Sequence, residues 1–463
     1  GEAFSPTYPG SGGGTYTSSS TTYYGGDGGG TVFIKASSVL VNGTITADGD
    51  YGYSYCGSGA GGSVWIVADT IKGNGIVSAA GSPGSSYVLA GGGGRVFLDV
   101  KDSCGLNIRK ISAAAGKTYT GKTAFNGTAI IRVGSGSTGR TLFVTNPSRI
   151  ADNPIATTIN SSDYWCDGGN IYVLNSNIRF AGDRTFTSFS MVGSDVICEG
   201  LLSPLSMVID SSSRLTVNGG MVIDSVTVTT SSKIVAGDTL RIGKLKLSRN
   251  SILTHKKSNS DTAFGLKLIC QSLVIDSTCS VDVNGSGYLG DRYVNGVWRG
   301  ARTIGNTIAN ISSASQGQVC GGTHGGRGGY YVGGTPVQVY GDAFSPTYPG
   351  SGGGVYLTGN TSYYGGDGGG TVFIKASSVS VNGSITANGE NGSYPCASGA
   401  GGSIWIIADT LIGNGTISAN GGSGTSYILA GGGGQIALDI KDKFTVNTRK
   451  ISSIAGTNYT GYR

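Results

Sequence analysis

Acidic side chains and helix signals are scarce in this 463-residue chain. Charged residues make up 13%, glutamate occurs three times (Glu2, Glu199, Glu390) and histidine twice (His255, His324). So few glutamates argue against the carboxylate clusters that hydrolytic sites need. Two histidines, with no Cys-x-x-Cys spacing, make a zinc site improbable. With 10 prolines and no strict third-residue glycine period, collagen is excluded. No apolar run approaches the roughly 18 to 20 residues that span a bilayer, so no membrane span is expected. No sustained 3.6-residue apolar stripe with caps is present, which removes helices as the main element. No initiator methionine or signal-like segment stands at Gly1, so the chain reads as a piece of something longer.

What is abundant is glycine, 85 residues, two to three times ordinary usage. With 38% hydrophobic residues and a net charge of only +6, a core can be buried, which argues against simple disorder. Self-similarity then sets the architecture. The segment from Gly1 to Gly10 returns from Gly341 to Gly350, an offset of 341 − 1 = 340 residues that holds without a gap to the chain end. About two-thirds of the aligned positions are identical. Trp65 becomes Trp405, Cys56 becomes Cys396 and Asp27 becomes Asp367.

A shorter repeat lies inside the long one. Thr31-Val32-Phe33-Ile34, Ser63-Val64-Trp65-Ile66, Arg95-Val96-Phe97-Leu98 and Thr128-Ala129-Ile130-Ile131 start at intervals of 32, 32 and 33, each behind a glycine cluster. Period-two alternation, β-branched residues and Asn-Gly turns make these strands. In the middle, segments from Ser206, Ser225, Lys244 and Ser272 begin shorter coils. The first two steps are 19 residues each, and His255 to Phe264 looks like a loop inserted in the third. The expected fold class is all-β: a β-solenoid of about 32-residue glycine-rich coils and about 19-residue short coils. The expected parts are glycine-rich (1–133), junction (134–164), short-coil (165–290), junction (291–317) and glycine-rich again (318–463). Glycine clusters at fixed intervals serve φ > 0 corners and close main-chain approach.

Eight cysteines without metal-ligand spacing point to disulfides in an oxidising compartment. Cys166 and Cys198 are 32 residues apart and could stack on adjacent turns. Cys270 with Cys279, and Cys320 with Cys396, are the other expected pairs. Cys56 would pair before Gly1, and Cys104, whose counterpart is Phe444, stays unpaired. Ten Asn-x-Ser/Thr sequons (Asn42, Asn126, Asn160, Asn284, Asn310, Asn360, Asn382, Asn391, Asn414, Asn458) are glycosylation candidates, although Asn-Gly-Thr also suits a solenoid turn.

Candidate chemistry is thin. Asp210 and Asp276 share a coil position, each in an Ile-Asp-Ser turn that explains it without catalysis. Gly25-Gly26-Asp27-Gly28-Gly29-Gly30 superficially matches a calcium-binding nonapeptide, but one aspartate per 32 residues cannot build a row of sites. No catalytic, cofactor-binding or metal-binding residue is expected, and no cofactor. The basic stretch Lys233, Arg241, Lys244, Lys246, Arg249, Lys256 and Lys257 reads as a solvated face, with Lys244 and Lys246 pointing outward. No interleaved aromatics support nucleic-acid binding. Tyr8, Tyr16, Tyr23, Tyr24, Tyr51, Tyr53, Tyr55 and Tyr87 crowd the glycine-rich loops, either stacking on partners or filling loop interiors.

The strings Gly-Gly-Thr-His-Gly-Gly-Arg-Gly-Gly (321–329), Pro-Gly-Ser-Gly-Gly-Gly (349–354) and the glycine-rich run 399–422 carry a likeness. They resemble glycine-rich tandem-repeat β-solenoid proteins of extracellular surfaces, filament-like, surface-hair-like or adhesin-like. The resemblance covers about 1–133 and 318–463; the middle is generic. It implies an extracellular or cell-surface, mainly structural role. The expected function is a structural subunit of an extracellular filament or appendage, coated by glycans and self-associating with copies of the same chain. An adhesin stalk is the alternative, and a carbohydrate-active or carbohydrate-binding β-helix a third.

Overall fold

A computed structural model describes residues 4–85, 87–117, 124–135, 139–146, 157–162, 167–294, 297–312, 319–330, 335–356, 363–394, 396–424 and 429–457. The protein is all-β with long parallel sheets. It divides into two compact units, residues 1–215 and 216–463. Their boundary falls inside the predicted short-coil part.

In the first unit, Thr31–Leu40, Ser63–Lys72, Arg95–Cys104 and Thr128–Val133 pair in parallel, in that order. The register joins Thr31 to Ser63, Ser63 to Arg95 and Arg95 to Thr128, which reproduces the predicted intervals. Alternate residues face inward because a strand's side chains point to opposite faces. Val64, Ile66, Val96, Leu98, Ala129 and Ile131 therefore form one buried stripe. A second row of short strands, Thr44–Thr46, Ile76–Ser78 and Ile111–Ser112, closes over it with Val77 and Ile111. The expected junction contributes a strand: Thr141–Thr145 turns back antiparallel on Thr128–Val133. Parallel order resumes with Asn170–Leu174, Arg184–Val192 and Leu202–Asp210.

In the second unit, Met221–Val228, Leu240–Leu247, Leu266–Ile275, Thr371–Val381, Ser403–Ile412 and Gln435–Phe444 form the long parallel row. The inserted loop stands where the sequence suggests, between Ile252–His255 and Leu266–Ile275. Leu266–Ile275 pairs directly with Thr371–Val381. Between Ser280–Asp282 and Thr371 the chain therefore leaves the long row and builds against the glycine-rich segments.

Those glycine-rich segments are not ladder strands. Gly10 and Gly13 N–H donate to Gly29 and Gly26 O, Gly26 and Gly29 donate to Gly57 and Ala60 O, and Gly57 and Ala60 donate to Gly14 and Ser11 O. Each segment meets one neighbour at every third residue and another on a different side. That three-residue period, without internal hydrogen bonds, is the habit of the polyproline II helix. Side-by-side packing leaves no room for side chains: a Cβ on Gly59 would stand 1.8 Å from Asp27 O. Close approach, the second of the two predicted uses of glycine, is thus the one these clusters serve. Left-handed φ occurs instead at isolated turn glycines such as Gly73 and Gly413.

Candidate functional site

The most developed polar site lies in the second unit, where the chain between 255 and 330 meets the glycine-rich layer. Asp367, in the segment Gly365–Gly370, is wholly buried. Its Oδ1 accepts from Gly290 N–H at 2.8 Å, and its Oδ2 pairs with the Arg292 guanidinium. Lys257 Nζ stands 3.0 Å from both Asp367 Oδ2 and Glu390 Oε1. Two acids and two bases make a neutral cluster, which is what allows a carboxylate to be buried at all. Burial works against the Lys257 charge, but Asp367 and then Glu390 outweigh it and hold its pKa above the ordinary lysine value. Lys257 arrives on the inserted loop, still about half exposed, and is held by these two carboxylates.

Beside this cluster runs the glycine-rich motif around His324. Thr323 N–H donates to Ser351 Oγ at 2.5 Å, and Gly326 N–H donates to Gly433 O at 2.8 Å. His324 is buried, its Nδ1 lies 2.9 Å from Gly401 O, and its ring packs 4.9 Å from that of Tyr340. Burial lowers the His324 pKa to about 4, so the ring is neutral at pH 7 and its Nδ1–H donates. His255 is likewise buried, with Nδ1 2.6 Å from Lys256 O and a pKa pushed down by burial to about 4.

The expected disulfides are corrected where their partners are described. Cys270 and Cys279 are both thiols. Cys270 sits in register between Ile242 and Ala376 of the flanking strands, away from Cys279 beyond the strand's end. Cys279 Sγ instead accepts from Ser251 N–H at 3.4 Å. Cys396 is a buried thiol not joined to Cys320. The Gly354 backbone stands between them, donating to Cys320 O at 3.0 Å and accepting from Ala397 N–H at 2.9 Å. Cys198 is a buried thiol, and its expected partner Cys166 lies outside the described residues. Cys56 and Cys104 are thiols as well. Burial pushes the Cys198 thiol far above its ordinary pKa and the Cys270 thiol up to about 12, so both are poor nucleophiles.

Other candidates are dispersed. Asp210 accepts from Ser211 N–H at 2.6 Å, the turn role expected of it. Cys279 N–H donates to Asp276 O in the corresponding turn, and Glu199 pairs with Arg179 at 3.0 Å. Lys244 and Lys246 are exposed between buried Leu245 and Leu247. Asn42, Asn160, Asn284, Asn310, Asn382, Asn391 and Asn414 are exposed and Asn126 half-buried; Asn360 and Asn458 lie outside the described residues. Several sequon side chains also link segments 32 residues apart: Asn391 Oδ1 accepts from Ser423 N–H at 2.8 Å, and Asn382 Oδ1 from Asn414 N–H at 3.3 Å. In the first unit, Tyr16, Tyr55 and Tyr87 are exposed and stand in a row with Tyr23, centroids 6.2, 5.3 and 4.9 Å apart.

Among the described residues, no group of three or more His, Cys, Asp or Glu could hold a metal ion. No helix among them is long and apolar enough to cross a membrane. Comparison with protein-family models, with curated proteins and with solved structures finds no match.

The Asp367 cluster escapes sequence reading for a definable reason. Gly-Gly-Asp-Gly-Gly-Gly occurs in both copies, which marks the aspartate. Its partners Lys257 and Arg292 lie in a region present once, with no spacing rule linking them to it.

Proposed function

We propose that this protein is a structural subunit of an extracellular filament or cell-surface appendage, a β-solenoid built of tandem 340-residue repeats. One observation carries the reading. Among the described residues, the long parallel row of each unit contains a strand open along one edge. In the first unit that strand is Thr31–Leu40; in the second it is Gln435–Phe444, which has only half-buried and exposed positions. The strands 340 residues away show how each is covered: Thr371–Val381 by Leu266–Ile275, and Arg95–Cys104 by Thr128–Val133. A pattern that supplies its own cover at both edges can be continued by adding repeats. Stacked parallel strands are the geometry in which no coil buries its apolar face alone. Secretion, attached glycans and lack of catalysis belong to the same reading, supported by exposed sequons and by carboxylates engaged in turns and ion pairs.

Cryo-electron microscopy of native material tests this. A continuous fibre with an axial period of one repeat is expected. Single rods ending in a distinct head would overturn it in favour of an adhesin stalk, the second reading, since a stalk uses the same stacking without self-association.

A further inference from the structure

The two copies of the glycine-rich layer differ in what covers them. In the second copy, N–H groups of Gly352, Gly354, Gly368 and Gly432 donate to Arg302, Cys320, Tyr288 and Gly322 carbonyls at 2.9–3.0 Å. Their counterparts Gly12, Gly14, Gly28 and Gly92 have no acceptor among the described residues. A Cβ on Gly352 would stand 2.1 Å from Leu289 O, and on Gly354 2.1 Å from Ile311 O. On Gly12 it would come no closer than 3.6 Å to anything, and on Gly14 it would meet nothing within 4 Å. Asp367 is buried against Arg292 and Lys257, whereas Asp27 is exposed.

An open cavity of about 780 Å³ in the first unit is lined by Ser11, Gly61, Gly93, Gly94 and Arg95 among others. Their counterparts Ser351, Gly401, Gly433, Gly434 and Gln435 hold Thr323 to Gly326 and the neighbouring Tyr340–Gly341 backbone. Four of those five positions are identical between the copies, and Arg95 and Gln435 both offer N–H donors. The cavity therefore offers the same backbone groups as the seat of that motif, with Phe4 packed against Phe97 at its wall.

We infer that the exposed face of residues 9–34 and 91–95 is a docking surface for a second copy of residues 257–326. Lys257 and Arg292 of that copy close on Asp27, its Thr323-His324-Gly325-Gly326 enters the cavity, and its Leu266–Ile275 pairs with Thr31–Leu40. Backbone pairing supplies the affinity, as in strand addition to an open edge, and the Asp27 charge sets the register. The inference deepens the repeat-filament reading and rests on it.

Hydrogen exchange on a chain with residues 1–340 placed ahead of Gly1 tests it. Exchange at residues 10–14, 25–34 and 91–94 next to the original Gly1 is expected to slow at least about tenfold, to the level of 350–354, 365–374 and 431–434. A shorter chain with only residues 216–340 ahead of Gly1 must give the same protection. Gly14→Val must abolish it in both, while leaving the unextended chain unchanged. Unslowed exchange in both extended chains overturns the inference. Slowed exchange without a native fibre keeps this joint within a single rod, whereas a fibre without it means that filaments grow through another surface.

Discussion

Residues 4–117 and 344–457 share most of their sequence but not their surroundings. Val32, Ile34 and Val39 of the first copy are only half-buried; Val372, Ile374 and Val379 are at most 1% exposed. Phe33 is 56% exposed in a strand with no partner on its outer edge among the described residues. The local fold nevertheless persists: Gly13 donates to Gly26 O as Gly353 does to Gly366 O, and Gly26 to Gly57 O as Gly366 to Ala397 O. The glycine-rich layer is therefore specified by its own close packing. The elements from 255 to 330 add burial and charge pairing to one face of it.

The largest effect expected from that difference is acid sensitivity confined to the second unit. Both histidines lie there, buried and neutral, with pKa values lowered to about 4. An unfolded histidine titrates near 6.5, so the unfolded state binds protons first as pH falls. Stability is complete above about pH 6.5 and is lost between 6.5 and 4, by something of the order of 3 kcal/mol per histidine. Urea unfolding followed by unit-resolved hydrogen exchange at pH 7 and pH 4.5 should show the second unit weakened and the first unchanged. Equal weakening of both would break the comparison.

Next in size are glycine substitutions made at matched positions. Gly354→Ala should cost about 3 kcal/mol by forcing a Cβ into Ile311 O, whereas Gly14→Ala should stay within about 0.5 kcal/mol. Thermal unfolding of the two variants decides it, and similar losses would mean that the first copy is covered too. Asp367→Ala leaves Arg292 and Lys257 facing each other; because both remain partly exposed, about 2 kcal/mol is expected. Asp27→Ala should change stability by no more than about 0.5 kcal/mol. A smaller effect sharpens the contrast from the first copy's side. Tyr55→Ala, between Tyr16 and Tyr87, should lose about 0.5 to 1 kcal/mol of ring contact; the second copy has Pro395 there.

Much of the fold was legible because a strand's period of two survives in Val64-Trp65-Ile66 and Arg241-Ile242, and because the 32- and 19-residue steps are printed in the sequence. Lys244 and Lys246 were readable as outward for the same reason. The glycine-rich packing was legible only as a need for close approach. A three-residue period written entirely in glycine shows no side-chain alternation to read. Cysteine pairing misled because spacing along the chain ignores direction: Cys270 and Cys279 are near in sequence but stand inside a strand and beyond the turn that follows it. The Asp367 cluster was hidden because Lys257, Arg292 and Glu390 come from three separated segments.

Native-state hydrogen exchange on the unmodified chain decides whether the first copy's glycine-rich face is uncovered. Strong protection of the Gly352, Gly354, Gly368 and Gly432 amides and near-unprotected exchange at Gly12, Gly14, Gly28 and Gly92 are expected. Equal protection of the two sets would contradict this, because the first copy's face would then already be covered.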